Sequence, residues 1–462
     1  IIIGGGLAGL ASAYKLVNSS DNNEVLILEK NSELGGMAAS YSINGYYIEK
    51  YYHHIFKVDS EIIALLKELS LINKLEWRIG RTGYYINNKV YPLNTPLEIL
   101  KYPALSFLDK VQLALLVLKA KKTTDYDYLD NITAKKWILD NARESLYLNF
   151  FEPLLQGKFG NYKDIVSAAW LLSRMKIRSN RSTSGETLGY LRGGFQLLID
   201  ALSKNINKSG NGEIRTNCEV NKIITENGKV KGVSDASLNG KFEVCDNIIS
   251  TVSPATLNKL LIPSSQVSTS NSFSPTLRYQ GTACALFGLN DRLMDDIYWL
   301  NIKASDFRIS DWGLEDSDIP HSAFPNPQSS WSLPFGAIIE HTNFIPIDDY
   351  NEHLVYVTSY FQNPRDPLWS SSEKMVINWY LKGLKKLFPN FKEKMVKWWR
   401  LTRNIDTAPV YETGYKNKIL PYLSNIKGLY LAGMFSKTNY PERSMNGSIL
   451  AGFKCAEIVN RT

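Results

Sequence analysis

An α/β fold is what this sequence predicts: a parallel sheet with a three-stranded β-meander, joined to an α+β part that carries a helical insertion. Three observations carry that expectation. The chain opens with an apolar strand that runs straight into glycines, Ile1-Ile2-Ile3-Gly4-Gly5-Gly6-Leu7-Ala8-Gly9. A second apolar strand, Val25-Leu26-Ile27-Leu28, follows a helical stretch and ends at Glu29. Short strands around the Asn227-Gly228 turn then lead to a further buried run, Asn247-Ile248-Ile249-Ser250-Thr251. Strand, helix and strand in that order make a β-α-β unit, and Asn-Gly between short strands marks a hairpin.

Each element of the opening unit has a chemical reason. Gly4 lets the chain turn tightly. Gly6 has no side chain, so a pyrophosphate can approach the backbone. Gly9 lets the helix lie close to the sheet. The helix from Leu7 to about Val17 directs its first N–H groups, those of Leu7 and Ala8 among them, and its positive dipole end at the phosphates. Glu29 lies twenty residues past Gly9, where a carboxylate can accept hydrogen bonds from ribose hydroxyls and repels a 2′-phosphate, which argues against NADP. The alternative is a structural β-α-β unit with accidental glycines. The order of strand, turn, helix and acid argues for a Rossmann-like dinucleotide-binding domain.

Two further features separate FAD from NAD. Glu29-Lys30 is followed by Leu34-Gly35-Gly36-Met37-Ala38, and the glycine pair lets the backbone pass a pyrophosphate and ribityl chain. A simple NAD domain needs no such pair there. Near the other terminus, Gly428-Leu429-Tyr430-Leu431-Ala432-Gly433 reads as a buried strand, followed by Met434 and a loop. A final helix begins at about Asn446 or Gly447 and ends at Val459, with Ser444 and Asn446 as candidate N-caps. The start of that helix, Ser444-Met445-Asn446, is expected beside the flavin pyrimidine, where its dipole stabilises negative charge near N1 and C2=O.

The rest of the chain divides by pattern. Residues 1–75, 186–260 and 401–462 are expected to form the nucleotide-binding domain. Residues 76–185 read as a largely helical region over the substrate, with helices at Pro96–Lys101, Ser106–Lys122, Thr133–Asn141, Glu144–Leu155 and Ser167–Met175, after a short β element. Residues 261–400 read as a second sheet with helices, in which Ser264–Ser274 is a surface loop.

Composition bounds the function. Of 462 residues, 44% are apolar and 21% charged, ordinary values for a globular protein. The net charge is +8, but its lysines and arginines are dispersed, which argues against a nucleic-acid binder. Four cysteines, Cys218, Cys245, Cys284 and Cys455, have neither metal nor redox spacing, so no metal is expected and a cytoplasmic location with reduced thiols is. The chain opens inside a strand without methionine, as expected of a sequence trimmed by a few residues, and no signal peptide is read. No apolar run can span a bilayer. The stretch Ser106–Lys122 is either a core helix or a contact with a membrane, so peripheral membrane association stays open.

At these residues the chain resembles the FAD-dependent flavin amine oxidase superfamily, in its protoporphyrinogen oxidase and phytoene desaturase branch. The matching pieces are Gly4-x-Gly6-x-x-Gly9, Glu29 with Gly35-Gly36, the Gly193-Gly194 turn into a helix, Glu219-Val220 and Asn446-Gly447. The stretches Pro153-Leu154-Leu155, Lys158-Phe159-Gly160, Ser167-Ala168-Ala169-Trp170 and Ile339-Glu340-His341 also look similar to that branch. The resemblance implies that Val220 contacts the adenine through its backbone and that Gly433 and Met434 lie along the cofactor. This chain departs from the family at Met37, Glu49, Tyr51 and Met434. In place of the cysteine that anchors flavin covalently in monoamine oxidases stands Arg443-Ser444-Met445-Asn446, so non-covalent FAD is expected.

The expected reaction is oxidation of a C–N or C–C bond of a small-molecule substrate by hydride transfer to flavin N5, with a separate electron acceptor. A large apolar substrate would suit the expected cavity. A flavin-dependent isomerase resembling UDP-galactopyranose mutase and a non-catalytic FAD-binding protein are the alternatives. His53 and His54, after the stretch expected along the flavin, are candidates to accept a proton or bind substrate; packing is the other reading of each. Glu340 and His341 end a strand that either faces the flavin or lies in solvent. Arg192 and Arg443 are candidates for an anionic group, Tyr411 for the flavin, and Tyr46, Tyr47, Trp170 and Trp331 for the pocket wall.

Overall fold

In the computed structural model the described residues are 1–19, 23–178, 185–235, 243–261, 277–302 and 333–462. Five parallel strands form one sheet, in the order Leu429–Leu431, Ile248–Ser250, Ile2–Ile3, Val25–Leu28 and Gly212–Arg215. Their near-continuous apolar runs match burial on both faces. From Ile2–Ile3 the chain winds one way to Val25–Leu28, and Ile248–Ser250 lies on the other side. A cleft therefore opens beyond the carboxyl ends of these strands, where Gly4 and Thr251 meet.

The helix Leu7–Val17 packs on the final helix, Met445–Val459. Small residues set their separation. A Cβ on Gly9 would lie 2.0 Å from the Gly4 carbonyl oxygen, and one on Gly452 would lie 2.4 Å from that of Ala8. Ser12 seals the crossing, its Oγ donating to the Ala8 and Gly452 carbonyls.

The meander comprises Val220–Glu226, Lys229–Asp235 and Glu243–Val244. Its first turn has positive φ at both Asn227 (49°) and Gly228 (73°), as a tight hairpin requires.

A seven-stranded sheet faces this layer, ordered Val396–Pro409, Tyr279–Leu289, His353–Phe361, Ala337–Glu340, Trp299–Ile302, Thr82–Ile86 and Lys89–Pro92. Two of its strands come from the region expected to be largely helical, and Thr82–Ile86 pairs in parallel with Trp299–Ile302. The strand Leu75–Gly80 pairs with Glu186–Leu191, across the whole insertion. Val396–Pro409 runs through the boundary expected at residue 400. The helical insertion itself is present as Pro96–Leu100, Phe107–Lys122, Tyr126–Asp130, Ala134–Leu139, a run from Glu144 to Phe159 with a π-type segment at Tyr147–Phe151, and Ala168–Arg178. Ser106 caps the second of these, accepting from Asp109 N–H while the Asp109 carboxylate accepts from Ser106 N–H. The stretch Ser264–Ser274 and Trp331 lie outside the described residues. No helix among the described residues is long and apolar enough to cross a membrane.

Candidate active site

A cavity of about 1120 Å³ begins at the opening glycine turn and reaches the helical insertion and the seven-stranded sheet. That exceeds the ~300–1,000 Å³ of an ordinary small-molecule pocket, so it has room for a cofactor and a substrate together.

Backbone builds its first end. Gly4 (φ +104°) turns the chain after the strand, and Gly35 (φ +104°) and Gly36 (φ +57°) turn a second loop beside it. Gly35 N–H donates to the Gly5 carbonyl at 2.8 Å, clamping the two loops together. A Cβ on Gly6 would meet nothing nearer than Gly36 Cα at 3.8 Å, so the space over Gly6 is an open cradle. The helix behind it begins with neither a side-chain cap nor an acidic residue in its first turn, which leaves its terminal N–H groups for a ligand. Gly4, Gly6, Leu7, Ala8, Glu29, Lys30, Gly35, Gly36 and Met37 all line the cavity. Gly9 does not; it is the packing glycine described above.

Glu29 is held in place by amides. Its Oε2 accepts from Gly5 N–H at 2.7 Å, and its Oε1 accepts from the backbone and side-chain amides of Asn31, both at 2.9 Å. The Glu29 carbonyl accepts from Cys218 N–H, which brings the start of the meander, with Glu219 and Val220, to the same end.

Gly433, Met434, Ser444 and Met445 close the cavity from the other terminus. Ser444 caps the final helix, accepting from Gly447 N–H at 2.9 Å. Asn439 ties strand end to helix start: its amide donates to the Gly433 carbonyl and its carbonyl oxygen accepts from Ser444 N–H, both at 3.0 Å. Asn446 is not at the cavity. Its side chain donates to Glu61 and accepts from Ile62 N–H, anchoring the helix Ser60–Glu68 instead.

The candidate catalytic residues divide. His53 and His54 line the cavity. The Nδ1 of His53 lies 2.6 Å from the Tyr51 carbonyl, which can only accept, so Nδ1 carries the proton and Nε2 keeps a lone pair. Burial lowers the His53 pKa to about 4 and takes that of His54 well below the ordinary range. Glu340 and His341 are not brought to the cavity. Both oxygens of Glu340 accept backbone N–H groups, from Leu293 at 3.0 Å and Met294 at 2.6 Å, and burial raises its pKa to about 8. His341 is walled by Tyr190, Tyr350 and Tyr356 and bonds the Tyr350 hydroxyl at 2.8 Å. Neither is a solvated strand end: both are core.

Several other expectations resolve the same way. Arg192 pairs at the surface with Asp349 at 2.7 Å. Tyr411 is buried, donating to the Asn439 carbonyl at 2.6 Å. Tyr46 donates to Glu352, and Tyr47 is exposed. Glu49 is fully buried, accepting from Phe195 N–H at 2.6 Å and Tyr190 hydroxyl at 2.9 Å, and so holds the Gly193-Gly194 turn from below. Arg443 and Trp170 do line the cavity.

Sequence reasoning offered Arg443 for an anionic group but missed the other cations at the far end. Lys158, Arg174, Arg178 and Arg443 line it, with Glu442. The signal was helical spacing: Trp170, Arg174 and Arg178 recur every four residues, on one face of the helix Ala168–Arg178. Lys158 Nζ lies 5.3 Å from the Trp170 ring centre and 5.9 Å from those of Phe159 and Tyr360. Burial, reinforced by the charges of Arg174, Arg443 and Arg178 and opposed by Glu442, lowers its pKa to about 7.

Comparison with known proteins adds the lineage. The model of the family described as flavin containing amine oxidoreductase matches residues 7–460. Coproporphyrinogen III oxidase of Staphylococcus aureus is 27% identical over 283 residues, which span 54% of this chain and 59% of that relative's length. Two solved structures share the fold. One, a proposed protoporphyrinogen oxidase from Exiguobacterium sp. 255-15, superposes with a TM-score of 0.74 at 18% identity, covering 100% of this chain and 98% of the other. The other, a reduced UDP-galactopyranose mutase, superposes with a TM-score of 0.70 at 15% identity, covering 100% and 95%. With a family match running almost end to end, the chain belongs to the flavin-containing amine oxidoreductases, a family of flavin-dependent oxidoreductases.

Proposed function

We propose that this protein binds FAD non-covalently and oxidises a C–N or C–C bond of a small molecule held in the same cavity. The observation that carries this reading is the continuity of the cavity: residues 4, 6–8, 29–31, 35–37, 433–435 and 442–445, from both ends of the chain, line one space with the far wall. The open cradle at Gly6, the uncapped N–H groups of Leu7 and Ala8 and the fixed Glu29 carboxylate fit a pyrophosphate and a ribose. Val220 is positioned for the adenine, and Met434, Ser444 and Met445 for the ring system. No cysteine lies in the stretch from Arg443 to Asn446, which supports non-covalent binding.

When bound, FAD supplies the hydride acceptor. The protein supplies the rest. The substrate C–H bond breaks with its electron pair leaving as hydride, and the neighbouring N–H or C–H gives its proton to water or to a base. His53 offers a lone pair at Nε2, but with so low a pKa it orients substrate better than it stores a proton. A separate acceptor, such as a quinone or oxygen, removes the electrons afterwards. Residues 1–75 with 186–260 and the C-terminal stretch serve the nucleotide, and the seven-stranded sheet with the helical insertion serves the substrate.

We place the enzyme in the cytoplasm, in contact with a membrane surface. The helix Phe107–Lys122 supports that contact: it exposes Phe107, Leu108, Leu115 and Leu118 beside several lysines, while its Leu113 and Val117 line the cavity.

The test is flavin content after acid release, followed by anaerobic bleaching of the flavin against amines, porphyrinogens, polyenes and sugar nucleotides. FAD at one equivalent per chain, with stoichiometric bleaching by one class, is the expected result. Protein that neither carries nor takes up flavin overturns the reading. Turnover of a sugar nucleotide by the pre-reduced protein, without net electron transfer, replaces it with the isomerase reading.

A further inference from the structure

Basic side chains converge on the far end of the cavity, and the carboxylate beside two of them, Lys158 and Arg174, does not satisfy them. Lys158 Nζ lies 4.0 Å and Arg174 3.8 Å from Glu442 Oε1. These separations are beyond a hydrogen bond. Among the described residues, neither Lys158 Nζ nor the Arg174 guanidinium has a hydrogen-bond partner, although about four-fifths of each side chain is buried. Glu442 is only 7% exposed, and its Oε2 is buried without a partner. The charged atoms of Lys158 and Arg174 open into the cavity, where a ligand's oxygens can pair and hydrogen-bond with them. The arrangement is one group short.

The missing group must be anionic, since among the described residues Lys158 and Arg174 share the one carboxylate of Glu442. It must also arrive on an apolar body. Leu113, Val117, Phe150, Leu154 and Met175 line the same space and offer a ligand no hydrogen bonds through their side chains. Its orientation follows from the chain: Glu442 and Arg443 immediately precede Ser444 and Met445, which line the cofactor end. An anion held there sets the neighbouring carbons of its carrier towards that end.

We infer that Lys158, Arg174 and Arg443 form a recognition site for an oxyanion, a carboxylate or a phosphate, carried at one end of an otherwise apolar substrate. Glu442 is the resident counter-charge that the ligand's oxygens supplement. The inference names a substrate class and rests on the proposed oxidation for what happens next. It also sets amines aside: an ammonium group would meet like charge on three sides. Burial lowers the Lys158 pKa before the ligand binds, and the neighbouring arginines add to that against Glu442.

The experiment uses the purified full chain and four ten-carbon probes: decanoate, decyl phosphate, decanol and decylammonium. Binding is read twice, from the bound-flavin spectrum and from the shift in melting temperature. Decanoate or decyl phosphate should bind at least tenfold more tightly than decanol, and decylammonium more weakly than decanol. Which of the two anions wins identifies the oxyanion. K158M and R174Q should each lose about tenfold in anion affinity while decanol affinity stays level, and K158R should restore it. E442Q should bind the anion several-fold more tightly. Equal affinities for anion and alcohol, tighter binding of decylammonium, or weaker anion binding by E442Q overturns the proposal. Because melting shifts are read without flavin, a protein that binds the anion but no FAD refutes the proposed oxidation and leaves the oxyanion site standing.

Discussion

The two ends of the cavity are made of different material. At the end proposed for the nucleotide, the lining is backbone: glycines with positive φ, an uncapped helix start, and a single carboxylate locked by amides. At the far end, contact is made by side chains, from segments as distant as Lys158, Arg174 and Arg443. A backbone-built end tolerates little and serves one ligand. An end built of side chains can be retuned residue by residue while the fold stays put, as expected where a family shares a cofactor and not a substrate.

The sharpest way to break that contrast is at the glycines. Gly9→Ala puts a methyl 2.0 Å from the Gly4 carbonyl oxygen, and should cost about 3 kcal/mol or more in overpacking, read as lost soluble yield or a lower denaturation midpoint. Gly6→Ala has room within the protein, at φ −73°, an ordinary value for alanine. It should fold normally and lose flavin affinity by two orders of magnitude. A Gly6→Ala protein with full flavin content would show that the cradle is not the cofactor site.

Glu340 comes next. Glu340→Ala strands two buried N–H groups, at about 1–3 kcal/mol each, so the melting temperature should fall while flavin content and rate per folded molecule hold. A selective loss of rate would return Glu340 to the catalytic list. At the far end, K158M and R174Q should do the reverse, sparing melting temperature and flavin and raising KM about tenfold.

The pH dependence sharpens the point. An oxyanion favours protonated Lys158, so its affinity should be level below the free-cavity pKa of about 7 and fall as pH rises above it. K158R should be flat over that range. Arg174, Arg178, Arg443 and Glu442 are the charged groups that face Lys158, and His53, at about 4, is already neutral there. An inflection that persists in K158R would point to another group. Smallest of all, Arg192→Ala breaks surface pairs with Asp349 at 2.7 Å and Glu76 at 3.5 Å and should leave melting temperature and flavin unchanged.

These differences explain what was legible beforehand. Gly4, Gly6, Gly9, Glu29 and the Gly35-Gly36 pair could be read because backbone geometry demands those residue types at those spacings. The meander was readable because Asn227-Gly228 fits one tight turn. Asn446 was misjudged because a helix start has many uses for an amide, and here it holds Glu61 and Ile62. Glu340 and His341 were misjudged because a strand end does not reveal which layer covers it. Thr82–Ile86 joins the large sheet through a partner more than 200 residues away, Trp299–Ile302, a pairing no local pattern encodes. At the cationic end, Arg443 was offered for an anionic group and Lys158 stands in a stretch similar to the family branch, but no pattern joins them to Arg174 and Arg178, which left only a periodic trace.

The segment from Glu442 to Met445 has a consequence of its own. Its first two residues belong to the proposed oxyanion site and its last two to the proposed nucleotide site, all four line one cavity, and Asn439 braces the segment against Gly433. Whatever free energy one occupant gains by steadying those four residues is shared with the other. By thermodynamic reciprocity, filling either compartment should tighten the other by the same factor. The empty protein would then greet its substrate weakly, which protects it from a dead-end complex before it is charged with its redox partner.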